Sequence, residues 1–417
     1  MASVRHPITQ GPSEGRRASR RTYNVLMIAP TSFFADYGCH VRILEEALIL
    51  RQMGNRVTIC TYRNGRDIAG LDIRRTLPIP WRTGYEVGSS RHKIAFDALL
   101  GWTALATALQ LKPDVVHGHL HEGALIGSAV SAALGVPLVF DMQGSLTGEM
   151  IDHHFLNRKG FFYRPARALE QVIDHLPAAI ITSSGHAADL LIREFRCRED
   201  RIAVISDCVN AGAFAPPAER QAVRATKSQL GIPLERQVIV YLGLLAEWQG
   251  IGLLLQAAQQ VVSQRPNVQF LIMGYPAVDL YRAQAQTLGL DGYVTFTGKI
   301  PYEQAPQFLA VGDVAVAPKT SATEGSGKLL NYMAMGLPTV AFDVPVSREY
   351  LGALGLYARA GDASSLAEAL ENALADRENV RAVGRSLRER AVERYSWSAA
   401  GHKIMDVYDT VSARSTA

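Results

Sequence analysis

The feature that most constrains this chain is an alternation sustained over nearly its whole length. Short β-branched, apolar runs give way to segments with helical spacing of apolar residues, and then to further apolar runs. "NVLMIAP" from Asn24 passes through the loop "TSFFADYG" into the periodic "CHVRILEEALILRQMG", and "NRVTICTY" from Asn55 reads as the next strand. A strand, helix and strand in that order pair in parallel with a right-handed crossover. "DVVHGH", "PLVFDM" and "AAIITSS" extend the series, separated by the helix-like "EGALIGSAVSAALG" and "RPARALEQVIDHL". Strands apolar on both faces need cover on both, which specifies an α/β, doubly wound parallel sheet.

The pattern breaks at "NAGAFAPPAE", from Asn210 to Glu219, where Pro, Ala and Gly displace the periodicity. It restarts with "QVIVYLGLL", "VQFLIMG", "VTFTGKI", "VAVAP" and "GLPTVAFD". At 417 residues the chain exceeds what one core usually serves, so two domains are expected. The boundaries read as a disordered basic arm over 1–22, a first Rossmann-like domain over 23–210 and a second over 211–395. A last helix over 396–415, "SWSAAGHKIMDVYDTVSA", is placed to pack back across both. Two such halves imply a cleft between them, although no fixed-period sequence repeat relates them.

Composition narrows the class. A formal charge of +4 is too small to imply a nucleic-acid partner. The arm holds Arg5, Arg16, Arg17, Arg20 and Arg21 with no apolar stretch behind them, unlike a secretion signal. Cys39, Cys60, Cys197 and Cys208 have no zinc-ligand spacing and read as apolar fillers in a reducing cytosol. Ile94 to Leu111 is interrupted by Asp97, and Glu122 to Phe140 contains Gly127, Gly135 and Pro137, so neither reads as a membrane span. The expected location is the cytoplasm.

Open parallel sheets bind ligands beyond the carboxyl ends of their strands, so the loops there are where chemistry is expected. "EGSGKLLNYMAMGLPTVAFD", from Glu324 to Asp343, offers small residues, a lysine and a helix start, which together suit a diphosphate. It is neither a Walker A loop nor a GxGxxG fingerprint, and a capped helix with a surface lysine is the plain alternative.

With its neighbours this stretch carries a resemblance. "PKTSATEGSGKLLNYMAMGLPTVAFD", "NVLMIAPTSFFADYGCHVRILEEA", "DVVHGHLHEGALIG", "RIAVISDCVNAGAF", "IVYLGLL", "VQFLIMG" and "VTFTGKIPYEQAPQFLAVGDVAVAP" resemble, in order, the marks of the retaining glycosyltransferase family 4. The resemblance covers about residues 22 to 412. It implies a GT-B fold with an acceptor-side first half, a donor-side second half and a last helix crossing back. It also implies transfer of a sugar from a nucleotide diphosphate sugar with retention, with no cofactor and no metal on the phosphates. Cationic side chains, helix N-termini and backbone amides would then stabilise the leaving diphosphate.

Three departures qualify the carry-over. The family's G-R-x4-K-G loop is here "GLLAEWQG", with Leu244 and Gln249 in place of the two cations. Asn331 stands where the second glutamate of E-x7-E would meet the ribose, and Gln143 replaces the histidine of DxHG. Lys328 and Lys319 offer replacement charge beside the diphosphate.

Roles follow from the resemblance. Glu324, Lys328 and His119 are the catalytic candidates. The donor side comprises Gly38, Gly243, Gly298, Lys299, Lys319, Gly325, Ser326, Gly327, Leu329 and Asn331. Glu324 would face the hexose, or else cap the helix; Gly38 would let the first loop near the phosphate, or else be an ordinary loop glycine. His121, Gln143, Gly144 and Ser145 are the acceptor-side set. His117, His119 and His121 alternate but lack metal-ligand spacing. The strand is expected to end near Gly118, and His117 is expected as a satisfied core group.

Arg51 to Lys93 holds nine basic residues against three acidic ones, with Trp81 among them. Peripheral contact with an anionic membrane, a solvated surface and an anionic acceptor are all compatible with that excess. UDP is the first expectation for the donor base and GDP the second, with a glycan or glycolipid as acceptor. A nucleotide-sugar-binding protein without catalysis and a GT-B sugar-nucleotide epimerase are the competing classes.

Overall fold

The computed structural model describes residues 21–34, 38–78, 93–152, 155–320 and 326–415. Most of the basic arm, together with Trp81, Arg82, Glu86 and Arg91 of the arginine-rich segment, lies outside these residues.

Seven parallel strands build the first sheet: β1 (Asn24–Ala29), β2 (Arg56–Thr61), β3 (Asp72–Arg75), β4 (Val115–His119), β5 (Leu138–Met142), β6 (Ala179–Thr182) and β7 (Ile202–Val204). Six build the second: β8 (Gln237–Leu242), β9 (Val268–Met273), β10 (Val294–Gly298), β11 (Val314–Ala317), β12 (Thr339–Phe342) and β13 (Leu356–Ala358). Their spatial orders are β3-β2-β1-β4-β5-β6-β7 and β10-β9-β8-β11-β12-β13, so both sheets are doubly wound. Each reverses its winding once, between β1 and β4 and between β8 and β11. Loops diverge at such a reversal and leave a crevice at the carboxyl ends.

The alternation in the sequence explains the layers. Val25 to Ala29 of β1 are wholly buried. Val25, Met27 and Ala29 pack with Ile43, Ala47 and Leu50 of the helix Gly38–Gln52, while Leu26 and Ile28 pack with Leu100 and Ala104 of the helix Lys93–Leu111. A central strand thus needs helices on both faces, and its continuous apolar run records that need.

The last helix, Trp397–Ser415, adds Ile404, Met405, Tyr408 and Val411 to the core of the first half. It begins where the chain crosses back, and Val209 N donates to Tyr395 O at 2.9 Å beside it. Tyr23 Oη donates to Asp409 at 2.6 Å, and Tyr408 Oη lies 2.7 Å from His117 Nδ1. The two halves also meet through Arg66 and Glu303, whose charged atoms are 2.8 Å apart. Within the arginine-rich segment, Arg66, Arg74 and Arg75 are engaged by Glu303, Asp72 and Asp67.

Glu45 is buried on the helix Gly38–Gln52, and loss of hydration pushes its pKa up to about 7 from an ordinary 4.5. The native state therefore holds this proton more tightly than the unfolded chain. The stability it contributes is fully present below the unfolded value and is lost as pH rises through about 7. The span corresponds to up to about 3 kcal/mol. Glu45→Gln should flatten the fall in Tm between mildly acid and mildly alkaline pH, as read by calorimetry. A pH dependence identical to wild type would show that this carboxyl is hydrated.

Candidate active site

In the second half, β8 ends at Leu242 and the chain turns at Gly243, whose φ is +151°. A side chain on Gly274, which follows β9, would strike Gly243 O at 1.9 Å, and Gly274 N donates to Gly298 O at 3.1 Å. The loops after β8, β9 and β10 are thereby locked together. A short turn, Glu247–Gln249, then brings Trp248 O to Thr320 N at 3.1 Å, tying in the loop after β11.

Lys328 enters this frame from the first turn of the helix Gly327–Ala334. Its Nζ donates to Gln249 Oε1 at 2.7 Å and to Tyr241 Oη at 3.0 Å, and lies 4.3 Å from the Tyr241 ring centroid. Tyr241 Oη donates in turn to Leu244 O at 2.7 Å, leaving its lone pair for the ammonium. Cation–π attraction and two hydrogen bonds thus hold the charge at the winding reversal between β8 and β11. The glutamine that stands at the family's lysine position is itself a ligand of Lys328. Lys319, two residues past β11, is buried nearby in sequence at 7% exposure.

In the first half, the guanidinium of Arg42 is almost wholly buried. It donates to Asp141 at 2.8–3.1 Å, to Ile205 O at 3.2 Å and to Asp207 at 2.9 Å, with Glu46 at 3.1 Å. Burial opposes ionisation of Asp141, but Arg42 and His119 hold its carboxyl well below the usual range. Burial, reinforced by the charge of Asp141, drives Glu46 well above that range. Asp141 therefore carries the negative charge and Glu46 the proton. His119 Nδ1 is 3.1 Å from Asp141 Oδ2, and Gln143 Nε2 donates to the same oxygen at 2.9 Å. Burial and the neighbouring His119 push His117 well below the ordinary histidine value, so it is neutral against Tyr408.

Several expectations change. The strand runs one residue past Gly118, through His119, so His117 and His119 share a face with rings stacked at 4.6 Å. His121 opens the helix Leu120–Leu134, and its buried ring lies 3.3 Å from Asp174. Burial opposes protonation, yet Asp174 and Glu170 raise its pKa, so it belongs to an internal ion cluster rather than an open acceptor wall. Ser145 is likewise internal: its Oγ donates to Glu170 at 2.7 Å and accepts from Gly148 N, which fixes the loop holding buried Gly144. Leu329 is a core residue, and its amide is taken by Ser326 O at 2.9 Å.

The other positions are as follows. Glu324 and Gly325 lie outside the described residues. Ser326 caps the Lys328 helix by position without a side-chain cap bond, and Gly327 and half-buried Asn331 follow on the helix. Gly38 starts its helix exposed, with nothing crowding a Cβ there. Lys299 stands over the ring of Tyr275 at 5.1 Å. Sequence reasoning missed Arg42, Asp141, Asp207 and Tyr241. For Arg42 and Asp141 the available signal was a charge on an otherwise buried helix face or strand.

Among the described residues, two groups have metal-ligating atoms within 4.8 Å of one another: Glu46, His117, His119 and Asp141, and His121, Glu170 and Asp174. In the first, Arg42 already places positive charge against both Asp141 and the carboxyl of Glu46.

Asp141→Asn would leave Arg42 buried against weaker partners, and removing one member of a buried pair costs about 3–5 kcal/mol. Urea denaturation should show that loss. A change below about 1 kcal/mol would mean that Glu46 ionises in compensation.

Residues 38–212 match the model for Glycosyltransferase Family 4, and residues 236–376 that for Glycosyl transferases group 1. The chain is 25% identical over 389 residues to D-inositol 3-phosphate glycosyltransferase of Corynebacterium aurimucosum, covering 89% of this chain and 90% of the relative. It is 23% identical over 389 residues to the sulfoquinovosyl transferase SQD2 of Arabidopsis thaliana, covering 91% and 72%. Sucrose-phosphate synthase from Thermosynechococcus elongatus superposes with a TM-score of 0.80 at 19% identity, over 94% of this chain and all of that one. HepE of Anabaena in complex with UDP-glucose does so with 0.73 at 16%, over 94% and 100%. The two matched halves, carried on two doubly wound sheets that superpose on these enzymes, show that the chain belongs to glycosyltransferase family 4 and is a glycosyltransferase of the GT-B fold.

Proposed function

We propose that the chain moves a sugar from a nucleotide diphosphate sugar, UDP-linked before GDP-linked, to a hydroxyl of a glycan or glycolipid with retention of configuration. The observation that carries this reading is the ammonium of Lys328, held over the winding reversal by Gln249 and Tyr241. A diphosphate there would meet Lys328, with Lys319 and the start of the Gly327–Ala334 helix as further positive potential. A UDP-glucose complex of HepE and a D-inositol 3-phosphate glycosyltransferase among the relatives support a sugar-nucleotide donor.

On this reading the bond between the sugar's anomeric carbon and the diphosphate oxygen breaks as the acceptor oxygen bonds to the same face. The acceptor proton passes to the departing diphosphate, and the cationic side chains stabilise its charge in place of a metal. His119, oriented through Nδ1 by Asp141, has a buried Nε2 with no hydrogen-bond partner among the described residues. That nitrogen suits a hydroxyl of the transferred sugar or acceptor. Asn331 is assigned to the ribose and Glu324 to the hexose.

A thermal-shift series with UDP, GDP and ADP on wild type and Lys328→Ala tests the donor assignment. UDP should stabilise wild type most. Lys328→Ala should weaken its binding at least about tenfold, the loss of a charge-assisted contact. Gly243→Ala should act in the same direction, because a Cβ there would lie 2.8 Å from Nζ. Undiminished binding by Lys328→Ala would remove the basis of the reading.

A further inference from the structure

A helix on a protein surface normally turns its charges outward and its apolar stripe inward. The helix Tyr163–His175 departs from that rule at several positions. Glu170 and Asp174 are 0% and 2% exposed, whereas Leu169 and Val172 are 49% and 57% exposed, and Leu176 just beyond is 43% exposed. Inside, Glu170 accepts from Ser145 and from Thr147 N, and Asp174 faces His121, so the buried acids have structural work. Among the described residues nothing inside the protein accounts for the outward face.

The turn before this helix sharpens the point. Phe161 is 86% and Phe162 71% exposed, and with Leu169, Val172 and Leu176 they form a stripe along one side. Exposed Arg158, Lys159 and Arg164 flank the two phenylalanines, and no Asp or Glu occurs from Phe155 to Leu169. Aromatic rings beside unrelieved positive charge match the boundary between phosphate headgroups and acyl chains. Two copies facing each other through this turn would instead bring three cations from each side together, which opposes self-association.

We propose that this face docks on the surface of an anionic lipid bilayer, with Phe161 and Phe162 entering the headgroup boundary and Arg158, Lys159 and Arg164 meeting lipid phosphates. Among the described residues no helix is long and apolar enough to cross a membrane, so this contact lies on the bilayer. It goes beyond glycosyl transfer and uses a different surface from the arginine-rich segment before Lys93.

Co-sedimentation of the full chain with vesicles of phosphatidylcholine alone, or containing about 30% phosphatidylglycerol, tests the proposal. The protein should pellet with the anionic vesicles only and be released by salt. Phe161→Ser with Phe162→Ser, and separately Arg158→Glu with Lys159→Glu, should each lower partitioning at least about tenfold while melting as wild type does. Three results would overturn it: wild type left in the supernatant, the phenylalanine variant pelleting equally, or a wild-type dimer in light scattering that the variant loses. The last would assign the face to a second copy of this chain.

Discussion

Winding direction is the constraint on which the rest of this structure depends. An open parallel sheet can receive a ligand at its carboxyl edge only where successive crossovers part to opposite faces, and each half of this chain has one such place. The glycine turn at Gly243, the Lys328 helix and the Thr320 contact all converge on the reversal between β8 and β11. His119 stands at the end of β4, beside the other reversal. The candidate site is thus placed by topology before any single side chain acts.

Within that frame, two buried or half-buried cations organise the halves. Arg42 joins a helix, a strand end and the segment leading to the second half, and Asp207 also meets Tyr350 Oη at 3.3 Å. The same guanidinium that keeps Asp141 ionised therefore contacts a residue shared with the other half. Lys328 in the second half is held by an amide oxygen and a phenol, those of Gln249 and Tyr241.

The fold was legible in the sequence because its central strands are buried on both sides. β1 and β8 carry unbroken apolar runs, Val25 to Ala29 and Val238 to Leu242, while β5 and β9 are broken by Asp141 and Gln269 and β4 by His117 and His119. β3, "DIRR", was not legible, since an edge strand half open to water carries no such run. Lys328 could be singled out from its helix start and from the missing cations at Leu244 and Gln249. That Gln249 would hold it could not, because the contact joins residues 79 apart. The resemblance places His121 and Ser145 on the acceptor side. Side-chain direction decides otherwise, turning both toward the carboxylates of the helix Tyr163–His175.

The central claim is that the diphosphate cation has moved from the loop after β8 to the helix at Lys328, with Gln249 as its orienting partner. Exchanging the two residues tests it directly by calorimetric titration of UDP into Lys328→Gln and into the double variant Lys328→Gln with Gln249→Lys. The account predicts that the single variant binds at least about tenfold more weakly than wild type and that the double variant recovers most of the loss. A double variant that binds no better than the single one would contradict it.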